Sequence, residues 1–168
     1  MFRLSRLFVL LLGVAGALGA SQAPEFAQQY RQRLNGALDE LARIVAQFDA
    51  DAAAEGLDRS AALAAYDDGG SPFLDRRGAS VRADIARLDR LTRHANALEA
   101  TDPLWRPLLV AREADRPLLA GTWRQYEPAA PLHMAGALYT GAGFLVAAVL
   151  GLLLVRLGGR RRRGAYAR

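Results

Sequence analysis

At 168 residues the chain holds one modest domain plus anchors, and its lack of cysteine excludes disulfides, a lipidated N-terminal Cys, thiolate metal sites and cysteine nucleophiles. All 17 acidic residues and 14 of the 22 basic ones lie between Glu25 and Glu127, so the middle is net acidic and both ends are strongly basic. A pI near 10.4 would ordinarily point to nucleic acid, but here the charge sits beside apolar segments, where membrane topology explains it better, and no nucleic-acid partner is expected. Every strong base is Arg, which with the Ala and Gly content reads as a GC-rich bacterial composition.

The first element is apolar. Leu7–Ala20 carries no charge and comes directly after Arg3 and Arg6. Its fourteen residues rise only about 21 Å, against a hydrocarbon core of roughly 30 Å. Extension to Leu4 and Ala23 gives a marginal span with Arg6 reaching outward. A cleaved signal peptide is the competing reading, with small residues at Ala15/Ala17 or Ala17/Gly19. Either way, the N-terminus starts in the cytoplasm and the chain beyond this segment is exported.

From Pro24 to about Gly56, Phe26, Tyr30, Leu34, Leu38, Leu41, Val45, Phe48 and Ala52 step by three or four, giving one apolar helical stripe. Pro24 suits a first turn, Ser21 offers a cap, Asp39/Arg43 a surface pair, and Gly56 a stop. A short helix is predicted over Ser60–Tyr66, ending in the turn Asp67-Asp68-Gly69-Gly70-Ser71-Pro72. A second long helix is predicted from about Asp75 to Ala100, with Val81, Ile85, Leu88, Leu91, Ala95 and Leu98 as its stripe and Asp89/Arg93 as a surface pair. Two such helices form an antiparallel hairpin most simply, with a thin, Ala-rich core.

Residues 102–131 are broken by proline and contain RPLL twice, at Arg106–Leu109 and Arg116–Leu119. Two short helices are expected near Pro107 and Pro117, with Trp105, Trp123 and Tyr126 capping the core, or Trp123 and Tyr126 at a membrane interface. Strand signals are absent throughout. Leu132–Val155 then supplies 24 residues without acid or Arg, about 36 Å as a helix, with Arg156 and Arg160–Arg163 immediately after it. That basic cluster places the C-terminus in the cytoplasm. Gly136, Thr140, Gly143, Ala147 and Gly151 share one face of this segment, and Gly13/Ala17 and Gly16/Ala20 offer matching small pairs in the first, so the two segments suit each other or another protein.

The expected fold is therefore all-α: a long antiparallel helical hairpin with short accessory helices, plus two transmembrane helices. The expected organisation is an anchor or signal peptide at 1–23, an extracytoplasmic helical domain at 24–131, a transmembrane helix at 132–155 and a cytoplasmic Arg-rich tail at 156–168.

No catalytic, cofactor-binding or metal-binding residues, and no cofactor, are expected. His94 reads as a solvated helix residue and His133 as interfacial; no third ligand accompanies them. Asp49, Asp51, Glu55 and Asp58 cluster, but Ala52–Ala54 breaks the alternation a calcium loop needs. The serines lie in no nucleophile motif. Arg82, Arg87, Arg90 and Arg93 form a basic rim, read first as a solvated, salt-paired face.

Residues 19–48, most specifically SQAPEFAQQYRQRL at Ser21–Leu34, together with the aromatic-proline segment and the C-terminal anchor, resemble an uncharacterised bacterial membrane-protein family, domain of unknown function 2937. The resemblance implies an inner-membrane location and supplies no activity. The expected function is a non-enzymatic inner-membrane scaffold or interaction protein with a periplasmic middle. Its expected partners are membrane lipid and a protein partner or second copy, engaged through the membrane helices and the helical stripe. The alternative is a periplasmic ligand-binding accessory or sensor domain, whose lining would be the Arg-rich helix with Trp105 or Trp123. An enzyme with an unfamiliar site ranks third.

Overall fold

A computed structural model describes residues 2–128 and 134–165, the side chains of residues 2–3 and 157–165 excepted. Among the described residues there are helices and turns and no strand: α1 (Phe2–Ser21), α2 (Ala23–Ala54), α3 (Arg59–Asp67), α4 (Pro72–Ala100), α5 (Arg106–Glu113), α6 (Arg116–Arg124) and α7 (Met134–Ala165). The chain divides into two compact units, one of Met1–Gln29, Pro103–Leu108 and Gln125–Arg168, the other of Tyr30–Asp102 and Leu109–Arg124.

In the first unit, α1 and α7 pack closely along their lengths. Their pairing is antiparallel: Gly151 of α7 faces Val9 and Leu12, whereas Gly143 faces Gly16 and Ala20. α1 is 20 residues long, about 30 Å, so the helix is longer than its uninterrupted apolar stretch. Ser21 is not a cap. It ends α1 with its hydroxyl donating to the Leu18 carbonyl at 2.8 Å, and the first bond of α2 runs instead from the Phe26 amide to the Gln22 carbonyl. Pro24 has no N–H to continue the ladder of α1, which explains a break at this point.

α7 continues to Ala165, ten residues beyond the apolar segment predicted to end at Val155. The boundary at 155 is one of polarity: Arg is a good helix former, so the Arg run gives the helix no reason to stop. His133 and the predicted first residue of this segment, Leu132, lie outside the described residues, as does Arg168.

In the second unit the apolar stripes face inward. Tyr30, Leu34, Val45 and Ala52 of α2 are buried, as are Val81, Leu91 and Leu98 of α4, Val110 of α5 and Leu118 of α6. Tyr30 meets His94 near one end, while Val45 and Val81 line a common groove farther along, so α2 and α4 run antiparallel as expected. α2 stops as predicted at Gly56, whose φ of 72° allows the Leu57 amide to reach the Ala52 carbonyl and the Gly56 amide the Ala53 carbonyl. α4 begins three residues before the predicted Asp75. Ser71 caps it by accepting the Phe73 amide, and Pro72 at the first position is preorganised for a helical turn. α3 packs on α4 through Gly78, where a Cβ would lie 2.7 Å from that of Tyr66.

Candidate functional site

Two features draw together side chains distant in sequence. The first is the seam between α1 and α7. Gly13, Ala17 and Gly151 are buried. A Cβ at Gly16 would collide with Ala147 and lie 2.7 Å from the Gly143 carbonyl oxygen, and one at Gly143 would strike Ala20 and the Gly16 carbonyl. Backbone meets backbone here, which only small residues permit. The outer faces are the reverse: Leu4, Leu7, Leu11 and Leu18 of α1 and Leu145, Val146, Val149 and Leu154 of α7 are all exposed. Both helices are long and apolar enough to cross a membrane, and little of either is buried within the protein, unlike the core helix of a soluble domain.

The second feature is a polar cluster in the α2–α4 unit. Tyr30 is fully buried, and its hydroxyl accepts the Asp115 amide at 2.9 Å. Asp115 precedes α6, and its Oδ1 accepts both the Leu118 amide at 3.2 Å and the Arg87 guanidinium at 3.1 Å. His94 packs edge-on against Tyr30 with ring centroids 5.7 Å apart. Its Nε2 is buried without a hydrogen-bond partner. Burial lowers the His94 pKa, against the opposing pull of Glu113 and Asp115. Burial likewise raises that of Tyr30, partly offset by the Asp115 amide. His94 is thus not the solvated residue that its Arg93–Asn96 surroundings imply. Arg87, Leu91, His94 and Leu98 step by four, three and four, and this spacing was the available signal.

The cluster pins α2, α4 and α6 together. His94 makes no hydrogen bond to a hydroxyl nucleophile, and Asp115 is committed to a helix cap and an ion pair.

A shallow groove of about 200 Å³ lies beside the far ends of α2 and α4, around the stacked rings of Phe48 and Tyr66 (centroids 6.4 Å apart). Arg43, Asp51, Arg77 and Asp84 also line it, and neither Trp105 nor Trp123 does. Its volume falls below the range of roughly 300–1,000 Å³ usual for small-molecule sites.

Residues 4–164 match the family described as a protein of unknown function, DUF2937. The chain belongs to that family. No curated protein and no solved structure matches it.

Several of the other candidate residues of this DUF2937 protein have structural partners. Asp49 is held by Arg59 through a bidentate pair at 2.5 and 2.8 Å, which lowers its pKa, and Asp58 caps α3 by accepting the Ser60 hydroxyl and the Ala61 amide. Asp51 accepts from Gln47. Among the described residues no group of His, Asp and Glu is arranged to hold a metal ion. Arg43 pairs with Glu40 rather than the predicted Asp39, and the Asp89 charge acts on Arg59. Arg82 bonds Asp67 and the Leu63 carbonyl, so two residues of the basic rim serve tertiary contacts. Trp105 and Trp123 do not cap the core; they are 57% and 71% exposed. Tyr126 packs edge-on against Phe26 and donates to Gln22 Oε1 at 2.8 Å.

Proposed function

We propose that this protein is a non-enzymatic interaction protein of the bacterial inner membrane. In this reading α1 and α7 cross the bilayer as an antiparallel pair, both termini are cytoplasmic, and residues 24–131 form a periplasmic helical domain. The observation that carries it is the inverted polarity of the α1–α7 pair, with small residues facing each other and large apolar side chains facing outward. In water such a surface would aggregate; in lipid it is the expected arrangement.

Antiparallel pairing also brings the Arg3/Arg6 end of α1 and the Arg-rich end of α7 to the same side, in keeping with the preference of basic flanks for the cytoplasm. An uncleaved α1 fits better than a removed signal peptide, because cleavage would strip Gly143 and Gly151 of their covering.

For the helical middle we favour a surface for protein contact over a ligand site, because Tyr30, Arg87 and Asp115 are engaged in holding α2, α4 and α6 together. Its partners are lipid through α1 and α7, and a protein or second copy through the helical domain. Alkaline phosphatase fused at Gly69 is expected to be active, and fused after Arg168 inactive; an active C-terminal fusion overturns the topology. A photo-crosslinker at exposed Arg90 or Phe73 is expected to yield a discrete protein adduct. A small molecule co-purifying in the Phe48–Tyr66 groove, with no adduct, favours a sensor.

A further inference from the structure

We infer that the short segment Pro103–Leu108 is a membrane-interface anchor, inserting Trp105 and Leu108 among lipid headgroups beside the first turns of α7. The inference rests on the membrane reading above and assigns the segment a lipid partner. The Tyr139 hydroxyl donates to the Leu104 carbonyl at 2.8 Å, joining the segment to α7 within the same compact unit. Tyr139 lies five residues into α7, about 7.5 Å along its axis from Met134. A helix that enters lipid near Met134 therefore carries the Leu104 peptide to interfacial depth.

At that depth the segment turns Trp105 and Leu108 outward. Trp105 is 57% exposed and Leu108 half exposed, and on α7 Met134 and Leu138 are exposed as well. An indole is suited to this layer, with its ring toward the acyl chains and its N–H toward the headgroups. Lipid headgroup and glycerol regions are the occupant that this combination of exposed indole and Leu fits.

The chain has only two tryptophans, so the test is direct. The full-length Trp123→Phe variant is reconstituted in phosphatidylethanolamine–phosphatidylglycerol vesicles containing lipid brominated either near the glycerol or near the chain end. Trp105 emission is expected to be blue-shifted and to be quenched more by the shallow bromines than by the deep ones. Adding Tyr139→Phe is expected to reduce the shallow quenching. A depth reference carries Leu150→Trp with both native tryptophans changed to Phe, and is expected to be quenched most by the deep bromines. If the position-150 probe is quenched and Trp105 is not, the interface anchor is overturned while the membrane reading stands. If neither is quenched, both fail. Blue-shifted but unquenched Trp105 emission would mean that protein, not lipid, covers the segment, and also overturns it.

Discussion

Tyr30 joins the two kinds of information in this molecule. Its place in an apolar stripe is visible from the spacing of Phe26, Tyr30 and Leu34, and it is fully buried. Its hydroxyl, however, is used by the Asp115 amide, 85 positions along the chain, and no local pattern reports such a bond. Tyr30→Phe keeps the ring but orphans that amide. It is expected to destabilise the helical unit by about 1–2 kcal/mol, read as a lowered melting temperature of the full chain in detergent, with little change in helical content. His94 carries a pH prediction. Its folded pKa lies below the ordinary 6.5 because burial penalises the charged ring, so the unfolded chain binds its proton more readily. Stability from this group is complete above pH 6.5 and falls as acid is added toward the lower folded value. Melting temperature is expected to decline from pH 7 toward pH 5, and His94→Phe is expected to flatten that decline. An unchanged slope in the variant would assign the effect to other groups.

At the scale of elements, the helices were legible because stripe, cap and stop signals agreed, as at Gly56 and at the Ser60–Tyr66 helix. The displaced ends have local causes: Ser71 with Pro72 starts α4 early, and helix-compatible Arg extends α7. Which helices meet through small residues is a different matter. Gly-rich faces on both apolar segments were apparent, yet the same faces suit a foreign helix equally well. The pairing depends on the register that sets Gly16 against Gly143 and Gly151 against Val9. Since the chain has no native Cys, Val9→Cys with Gly151→Cys provides an unambiguous crosslink, expected to form within one chain on oxidation. Adding Gly16→Leu forces the backbones apart and is expected to reduce its yield several-fold. Gly19→Leu, at a position with nothing within 4 Å, is expected to leave it nearly unchanged.

For the molecule as a whole, retention of α1 is the deciding event. The mature protein is expected to show an intact mass that includes residues 2–21, because α7 has its small face covered by α1. A mass starting after Ala17 or Gly19 would instead restore the signal-peptide reading. The sequence by itself determined the all-helical class, the two apolar spans and the asymmetry of charge, since periodicity, length and composition are local properties of the chain. Tertiary structure decided the rest: that Gly16 of α1 and Gly143 of α7 cover each other, that His94 turns inward onto Tyr30, that Asp49 is taken up by Arg59 and Asp58 by a helix cap, and that Trp105 stays outside the core. Each depends on groups far apart in the chain meeting at van der Waals or hydrogen-bond distance, and only the packed backbone sets those distances.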